Sequence, residues 1–266
     1  GHETGSIVAD PKFADPQNGD YTPAPDSPVR RLGFKPFDYS QAGVYGDPAW
    51  TAKANALELP GDITLPEPPS VAIRDTFENM PLNQPPSGSE PMVSGGPDKI
   101  IVTNQTAATG KKSLALIDAP GLEKSFYPYQ VYNNLAYKAG PVKNTFALRL
   151  PKEAHLGFEW RDYADGAYKT GPAFTIRNGT LTAPGGKEIP IPSDAWVKFT
   201  IQAQLNQENT PWSLTLQCPG QPPIHLENLP YGNPKFRTLD WIGLMSHGDK
   251  DTSLYLDDFT LNYNSE

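Results

Sequence analysis

The sequence predicts an all-β protein, a two-sheet antiparallel β-sandwich of the jelly-roll type, preceded by an extended and mostly irregular N-terminal segment. From residue 71 onward, apolar residues alternate with polar ones, which is the period of strands that bury one face and expose the other. The 30 prolines and 23 glycines favour short strands and turns over long helices. Roughly a dozen alternating runs are enough for two packed sheets.

The overall composition argues against several classes of protein. The net charge of −8 over 266 residues disfavours a nucleic acid or an anionic membrane as partner, because both are polyanions. No apolar run approaches the roughly 20 residues that a membrane-spanning helix needs. The one cysteine, Cys218, excludes an internal disulfide framework, and its place at the end of an apolar strand predicts a buried, inert thiol.

Residues 1–46 are the first of three predicted regions, and turns dominate them. Asp-Pro occurs twice and Asn-Gly once between single apolar residues, so this region buries too little surface to fold alone. Its motifs are Asp10-Pro11-Lys12-Phe13, Asp15-Pro16-Gln17-Asn18-Gly19-Asp20-Tyr21 and Ser27-Pro28. They closely resemble the segment that ends right-handed parallel β-helix proteins, many of which are bacterial polysaccharide-degrading enzymes.

This resemblance implies that a β-helix catalytic domain of the same polypeptide precedes Glu3, and that the protein is secreted or periplasmic in a bacterium. Because a solenoid needs stacked neighbours, no β-helix is expected within the chain itself. The alternative is that residues 1–46 form an ordinary ordered loop that packs on the sandwich.

Residues 47–70 are predicted to be a connector. Ala49 to Leu59 is a candidate short helix, with Asp47 as its N-cap and Pro48 at its first position. Leu65-Pro66-Glu67-Pro68-Pro69 then predicts a stiff polyproline linker.

Residues 71–266 are the predicted sandwich, and its first and last strands are expected to pair side by side. Val71–Glu78 and Leu254–Tyr263 both combine apolar alternation with interleaved carboxylates. The apolar residues on either side of Asp257-Asp258 share a face only if one extra residue is inserted there, which predicts a β-bulge. Between these strands, alternation predicts others at 99–103, 113–118, 142–150, 155–161, 173–177, 197–205 and 212–217. Leu239 to Met245 is almost continuously apolar, which predicts a strand buried on both faces.

Three further motifs follow one another along this region: Asp75-Thr76-Phe77-Glu78, Gly110-Lys111-Lys112-Ser113-Leu114 and Tyr255-Leu256-Asp257-Asp258-Phe259. In this order they resemble the concanavalin-like, laminin-G-like jelly rolls that are often appended to bacterial carbohydrate-active enzymes. The resemblance spans about residues 70 to 264 and implies a carbohydrate-binding or accessory role more often than catalysis. Retaining hydrolases of this fold typically carry Glu-x-Asp-x-x-Glu on one strand, and the absence of that run here weighs against an enzyme.

Carboxylates near the first and last strands predict a structural Ca²⁺ site held by Asp75, Glu78 and Asp258. Ca²⁺ takes about six to eight oxygen ligands, and carboxylates supply them readily. Asp257 and Asp118 are further candidates. The alternative is that these side chains cap turns and stabilise the bulge without a metal.

The predicted glycan-binding residues are His155, Glu159, Arg161, Tyr163 and Tyr168. The first three share the outward period of one strand, and the two tyrosines follow it in a loop. Arginine donates several hydrogen bonds to hydroxyls or a carboxylate, and a flat aromatic ring stacks on the apolar face of a sugar. Glu159 is also a candidate acid, or alternatively an exposed partner of Arg161 on a solvated sheet.

The tryptophans divide by the face on which they fall. Trp160, Trp212 and Trp241 follow the inward period and are expected in the core. Trp196 begins a strand on the opposite face and is a candidate for exposure.

Together these patterns favour a non-catalytic carbohydrate-binding module of a secreted β-helix enzyme, with a polysaccharide or oligosaccharide as ligand. One alternative is a structural accessory domain that packs on the β-helix and binds no glycan. A second is a glycoside hydrolase or polysaccharide lyase that uses Glu159. A glycosidase needs two carboxyl groups about 5 Å apart or more, and no strand of the sequence carries an obvious pair.

Overall fold

The computed structural model describes residues 5–37, 42–57, 69–207 and 210–262. The chain divides into two compact units, Gly1–Leu65 and Pro66–Glu266. The predicted boundaries at residues 46 and 70 and the predicted β-helix neighbour stay predictions. The polyproline linker, apart from Pro69, falls outside the described residues.

The first unit contains only short elements among its described residues. Strands β1 (Phe13–Asp15) and β2 (Asp20–Pro23) form an antiparallel hairpin, and a 3₁₀ turn at Pro16–Asn18 joins them. A second 3₁₀ helix spans Pro28–Leu32. The proline- and glycine-rich motifs of this segment therefore form single turns and short strands.

The predicted connector helix is confirmed as α1 (Pro48–Asn55). The Asp47 carboxylate caps it by accepting a hydrogen bond from the Ala49 amide at 2.7 Å, as expected for an N-cap before proline. The helix ends at Asn55, and the predicted end at Leu59 lies outside the described residues. No helix in the described ranges is both long enough and apolar enough to span a membrane.

Among its described residues, the second unit contains strands joined by turns and loops, and no helix. In chain order they are β3 (Ile73–Asp75), β4 (Glu90–Met92), β5 (Lys99–Thr103), β6 (Ser113–Asp118), β7 (Tyr129–Tyr132), β8 (Gly140–Arg149), β9 (His155–Asp162), β10 (Lys169–Arg177), β11 (Thr180–Ala183), β12 (Lys187–Pro190), β13 (Val197–Leu205), β14 (Trp212–Gln217), β15 (Ile224–Leu229), β16 (Trp241–Ser246) and β17 (Thr252–Leu261).

These strands form two antiparallel sheets, which confirms the predicted jelly-roll sandwich. The seven-stranded sheet has the order β12-β11-β10-β9-β16-β7-β4. The eight-stranded sheet has the order β15-β14-β13-β8-β17-β6-β5, and β3 joins it by pairing with β17. The central strands of both sheets come from distant parts of the sequence, so each outer face combines residues that the chain places far apart.

The predicted pairing of the first and last strands is confirmed, as is the bulge. In the pairing of β3 with β17, Asp75 lies opposite Phe259, and the register of β17 against β8 shifts between Asp257 and Thr260. Asp258 takes a left-handed conformation with φ of 50°, which lets the strand resume its inward period after the bulge. Strand β3 is shorter than the predicted Val71–Glu78, because Phe77 has φ of 58° and leaves the extended conformation. Tyr263 lies outside the described residues.

A stack of aromatic rings fills the space between the two sheets. Phe146 on β8 lies 5.1 Å from Phe158 on β9 and 5.2 Å from Phe199 on β13, measured between ring centroids. Trp160 and Trp212 are fully buried, as predicted from their period. Cys218 is a buried free thiol, also as predicted.

Candidate functional site

The candidate site lies on the outer face of the seven-stranded sheet, where β9 and β16 run side by side. Alternation along β9 buries Leu156, Phe158 and Trp160 and turns the side chains between them outward. In the pairing with β16, Arg161 lies opposite Trp241 and Glu159 opposite Gly243. The outward residues of β9 therefore share one surface with the outward residues of β16.

This surface is a groove with a volume of about 790 Å³, which we name the aromatic groove. Its floor includes two small residues, Gly157 and Ala173. The larger side chains that line it include Phe126, Tyr129, Glu159, Arg161, Tyr163, Tyr168, Trp241, Met245 and His247. Four of the five predicted glycan-binding residues are thus brought together in one depression.

Trp241 does not lie in the core between the sheets, and that prediction is wrong. Strand β16 is buried on both faces, so inward and outward residues look alike in the sequence. Trp241 packs on the outer face with Val131 and Met245, while Ile242 takes the inward position. A side chain on Gly243 would collide with the indole ring, so this glycine lets the ring lie flat across the strand.

Arg161 is held at the centre of the groove by two rings and a carboxylate. Its guanidinium carbon lies 3.9 Å from the centroid of Trp241 and 4.3 Å from that of Tyr168. Its Nε donates a hydrogen bond to Glu159 Oε1 at 2.6 Å, and Nη2 donates to the same oxygen. Nη1 donates to the Tyr163 hydroxyl at 3.3 Å. The side chain is 19% exposed, so part of the guanidinium faces the groove.

The charge of Arg161 is stabilised in this position. Burial lowers the pKa of the guanidinium, but the hydrogen bond to Tyr163 and the negative charge of Glu159 outweigh it, and the pKa is raised. Cation–π contact with Trp241 and Tyr168 favours the charged form further. The arginine is therefore a fixed, oriented cation. Its Nη2 also contacts Met245 Sδ at 4.0 Å, and Nη1 keeps a second N–H that a ligand can use.

Tyr163 and Tyr168 form the exposed wall of the groove. They lie in the loop between β9 and β10, their ring centroids are 6.0 Å apart, and they are 40% and 50% exposed. The backbone amide of Tyr163 donates to Asp240 Oδ2 at 3.0 Å, which anchors the loop to the residue directly before β16. Two exposed rings beside fixed hydrogen-bonding groups are the arrangement with which proteins bind sugars.

The opposite wall contains residues that the sequence did not single out as ligands. Phe126 and Tyr129 lie 5.7 Å apart between ring centroids, and burial raises the pKa of the Tyr129 hydroxyl. His247 lies above Gly157, where an added Cβ would come within 2.8 Å of its Nε2. The signal for this wall was the aromatic run before β7 together with the glycines of β9 and β16, since each glycine leaves room for a ring.

His155 is the predicted ligand that does not line the aromatic groove. It shares the outward face of β9, but its ring packs 5.1 Å from that of His247 instead. Burial, followed by the charges of His247 and Arg177, lowers its pKa. His155, the first residue of β9, therefore packs against His247, which lines the groove.

The three predicted Ca²⁺ ligands all make protein contacts near the bulge. Glu78 Oε1 accepts hydrogen bonds from the amides of Lys111 and Lys112, which lower its pKa. Asp258 Oδ1 accepts from the Thr109 hydroxyl at 2.8 Å. Burial raises the pKa of Asp75, and an interaction with the Tyr132 hydroxyl offsets part of this rise.

These carboxylates hold the loop before β6 in place. Asp257, buried at the bulge, accepts the Ala108 amide at 2.7 Å, and burial raises the pKa of its carboxyl to about 6. Among the described residues, no three His, Cys, Asp or Glu side chains are grouped closely enough to hold a metal ion. The geometry fits the capping alternative, and the Ca²⁺ site stays a prediction.

No family model and no curated protein matches this sequence. Among solved structures, an endo-β-1,4-glucuronan lyase from the fungus Trichoderma reesei is similar with a TM-score of 0.52 at 11% identity, over 69% of this chain and 94% of that one. A cellulose-induced protein reaches a TM-score of 0.48 at 11% identity, over 72% of this chain and 97% of that chain.

A xylan-binding domain of a Paenibacillus barcinonensis protein is similar with a TM-score of 0.40 at 16% identity, over 72% of this chain and 94% of that one. Identities this low carry no information about ligand or activity. The likeness to the lyase shows a shared jelly-roll fold.

Proposed function

We propose that the unit Pro66–Glu266 is a non-catalytic carbohydrate-binding domain that holds a polysaccharide in the aromatic groove. One observation carries the proposal: an oriented arginine stacked between two rings, in an open groove whose wall is formed by exposed tyrosines. Such a site offers sugar hydroxyls directed hydrogen bonds and offers sugar rings a flat apolar surface.

Preorganisation of the groove supports binding. Arg161 is already ordered by Glu159, Trp241 and Tyr168 before a ligand arrives. Ordering a long side chain on binding costs about 0.5–1.5 kcal/mol, and this cost is small where the side chain is already fixed. Each contact with a ligand in this groove therefore contributes more binding free energy than the same contact on a flexible surface would.

The charges favour a neutral or lightly charged glycan in this groove. Glu159 balances Arg161, and the net charge of the chain is −8, so a polyanion experiences long-range repulsion. The remaining donors of Arg161 suit hydroxyls or a single carboxylate.

The chemistry of the groove argues against hydrolysis. A glycosidase uses two carboxyl groups, and Glu159 is the one carboxylate among the described residues that line the groove. Glu159 Oε1 also accepts two hydrogen bonds from Arg161, so this oxygen already has a protein partner.

A polysaccharide lyase is the second candidate, and the contact between Arg161 and Tyr163 favours it. Proton abstraction beside a uronate carboxyl group needs a cation for that group and a base for the proton. Arg161 supplies the cation, and the Tyr163 hydroxyl lies 3.3 Å from it. This activity would move the C5 proton to the base, break the C4–O glycosidic bond with protonation of the departing sugar oxygen, and leave a C4=C5 double bond in the product, whereas binding alone leaves the glycan intact.

We further propose that the domain belongs to a secreted or periplasmic bacterial enzyme and serves its β-helix domain. The N-terminal motifs between Asp10 and Pro28 support this, because they resemble the end of a β-helix. A structural accessory role without glycan binding is the alternative that the following experiment excludes or establishes.

Affinity gel electrophoresis against xylan, β-glucan and mannan tests the proposed function. We expect at least one neutral glycan to retard the protein, and Tyr168→Ala to abolish the retardation. The matched control is Tyr45→Ala, since Tyr45 is 81% exposed and lies in the first unit. Retardation by none of the three glycans would refute binding in the aromatic groove, and the accessory role requires in addition no retardation by polygalacturonate. An unsaturated product released from added polygalacturonate would favour the lyase.

A further inference from the structure

We propose a second saccharide site, on the outer face of the eight-stranded sheet, that binds a polysaccharide carrying carboxylate groups. The site is a cleft of about 600 Å³, which we name the basic cleft, with Arg74, Lys143, Thr145, Trp196, Lys198 and Asp258 among its lining residues. It lies on the sheet opposite the aromatic groove and shares no lining residue with it. The inference is therefore independent of the function proposed for that groove.

A row of threonines crosses this face of the sheet, and two of its members, Thr145 and Thr260, line the cleft. Thr260 on β17 lies opposite Thr145 on β8, Thr145 opposite Thr200 on β13, and Thr200 opposite Thr215 on β14. Arg74 on β3 lies opposite Thr260 and ends the row. Adjacent strands are about 4.8 Å apart, so the four threonines span about 14 Å across the strands.

The row presents four hydroxyl groups on one face of the sheet. The hydroxyls of Thr145 and Thr260 lie 2.5 Å apart, and the Thr215 hydroxyl lies 3.0 Å from His225 Nδ1. Each hydroxyl donates and accepts hydrogen bonds, as sugar hydroxyls do. A glycan chain that lies across the strands would meet one threonine at each strand.

Two lysines flank the row on opposite sides. Lys143 precedes Thr145 by two residues and Lys198 precedes Thr200 by two, on antiparallel strands, so each is displaced by about 7 Å along its strand in opposite directions. Both lysines are exposed, and neither forms an ion pair with any described residue. Their charges are directed at solvent, where a ligand would approach.

The local charge of the cleft is opposite to that of the chain. Lys143 and Lys198, which form no ion pair among the described residues, line it against one carboxylate, Asp258, which already accepts a hydrogen bond from Thr109. In a chain with a net charge of −8, a locally basic cleft favours an anionic group at that place. Lysines pair with carboxylates as point charges and so suit a ligand whose carboxylates are spaced along a chain.

Trp196 supplies the aromatic surface that distinguishes a saccharide from a simple anion. Its indole is half-buried at the start of β13, with its N–H donating to Thr106 Oγ1 at 3.2 Å. The neighbouring floor is the small residue Ala147, which lies opposite Lys198. A ring beside a cation over a small floor residue fits a uronic acid, whose apolar face stacks while its carboxylate pairs with the lysine.

The test measures binding to polygalacturonate by affinity gel electrophoresis in the Tyr168→Ala variant, in which the aromatic groove is impaired. We expect polygalacturonate to retard this variant and highly methyl-esterified pectin to leave it unretarded. Adding Lys143→Gln and Lys198→Gln should weaken the interaction at least about tenfold, because two charged contacts are lost. The control pair Lys152→Gln and Lys250→Gln removes the same charge from exposed lysines outside the cleft and should change little.

Three results would overturn the second site. They are no retardation by polygalacturonate, equal weakening by both lysine pairs, and binding of dextran sulfate with the same dependence on Lys143 and Lys198 and equal strength. The last would show a general affinity for polyanions. Melting temperatures of all variants verify that they are folded. Loss of neutral-glycan binding would refute the aromatic groove alone and leave this result unaffected.

Discussion

The two sheets of the sandwich present outer faces that hold their charges differently. On the seven-stranded sheet, Arg161 is paired with Glu159 and stacked between Trp241 and Tyr168. On the eight-stranded sheet, Lys143 and Lys198 extend beside threonines without an ion pair among the described residues. The comparison teaches that the side chains, rather than the jelly-roll fold, set the chemical character of each outer face.

The largest expected effect is on the free energy of unfolding. It tests whether the outer face of the seven-stranded sheet is packed as tightly as a protein core. Trp241 is 8% exposed and clusters with Val131 and Met245. Because removing a buried tryptophan costs about 3–5 kcal/mol, Trp241→Ala should lower the free energy of unfolding in urea by about 3 kcal/mol. Trp196→Ala, on the half-buried ring of the other face, should cost about 1 kcal/mol. Equal costs would erase this difference between the faces.

The next effect concerns affinity in the aromatic groove. Arg161→Ala should weaken glycan binding about tenfold or more, since hydrogen bonds to charged groups contribute roughly 1.5–3 kcal/mol. Arg161→Lys should recover little, because an ammonium lacks the planar fork that stacks between the rings. Isothermal titration with the glycan found by electrophoresis gives the numbers.

Arg177 provides the matched control for this effect. It faces outward on β10, opposite His155, and does not line the groove. Arg177→Ala should bind as the native protein does. If Arg161→Ala binds the glycan with unchanged affinity and circular dichroism shows an intact fold, then Arg161 does not contribute to the binding site.

The sequence predicts those parts of the aromatic groove that depend on neighbouring residues, and it does not predict contacts between residues far apart in the chain. Alternation along β9 places His155, Glu159 and Arg161 on one face, since this needs only a period of two. The position of Trp241 beside Arg161 depends on the pairing of β9 with β16, which no local pattern encodes. A strand buried on both faces hides its own inward period, and Trp241 was misplaced for that reason.

The eight-stranded face shows the same limit. The bulge at Asp257-Asp258 was predicted because a slip in register would expose every apolar residue after it. The threonine row draws one residue from each of four strands, and it exists only once their registers are known. The predicted extent of the first strand failed at Phe77, whose left-handed φ of 58° is not indicated by its residue type.

The predicted Ca²⁺ site bears on the comparison of the two faces, because its ligand Asp258 lines the basic cleft on the eight-stranded sheet. If Ca²⁺ binds the native state through Asp258 with Glu78 or Asp75, melting temperature rises with the logarithm of free metal. At a concentration tenfold above Kd, the gain is about 1.4 kcal/mol, and Asp258→Asn should remove it. Superimposed melting curves in EDTA and in millimolar Ca²⁺ would count against a site of useful affinity.

The smallest expected effect comes from the pH dependence of the bulge. Burial raises the pKa of Asp257 from 3.8 to about 6, so the folded state favours the protonated carboxyl. This contribution to stability is fully present below pH 3.8 and is lost as pH rises through about 6.

Between pH 7 and pH 5, the native protein should therefore gain about 1 kcal/mol relative to Asp257→Asn, after allowance for solvent screening. Urea unfolding of both proteins at the two pH values measures this difference. A difference that is constant with pH would show that Asp257 titrates at its ordinary value.

Simultaneous binding tests the central claim, that the two faces are separate sites, most directly. The protein is first saturated with the neutral oligosaccharide that occupies the aromatic groove and is then titrated calorimetrically with oligogalacturonide. Our account predicts that oligogalacturonide binds with the same Kd as it does to the free protein, because the two sites lie on opposite sheets and share no residue. An apparent Kd that rises in proportion to the neutral ligand would show a single shared site and contradict the account.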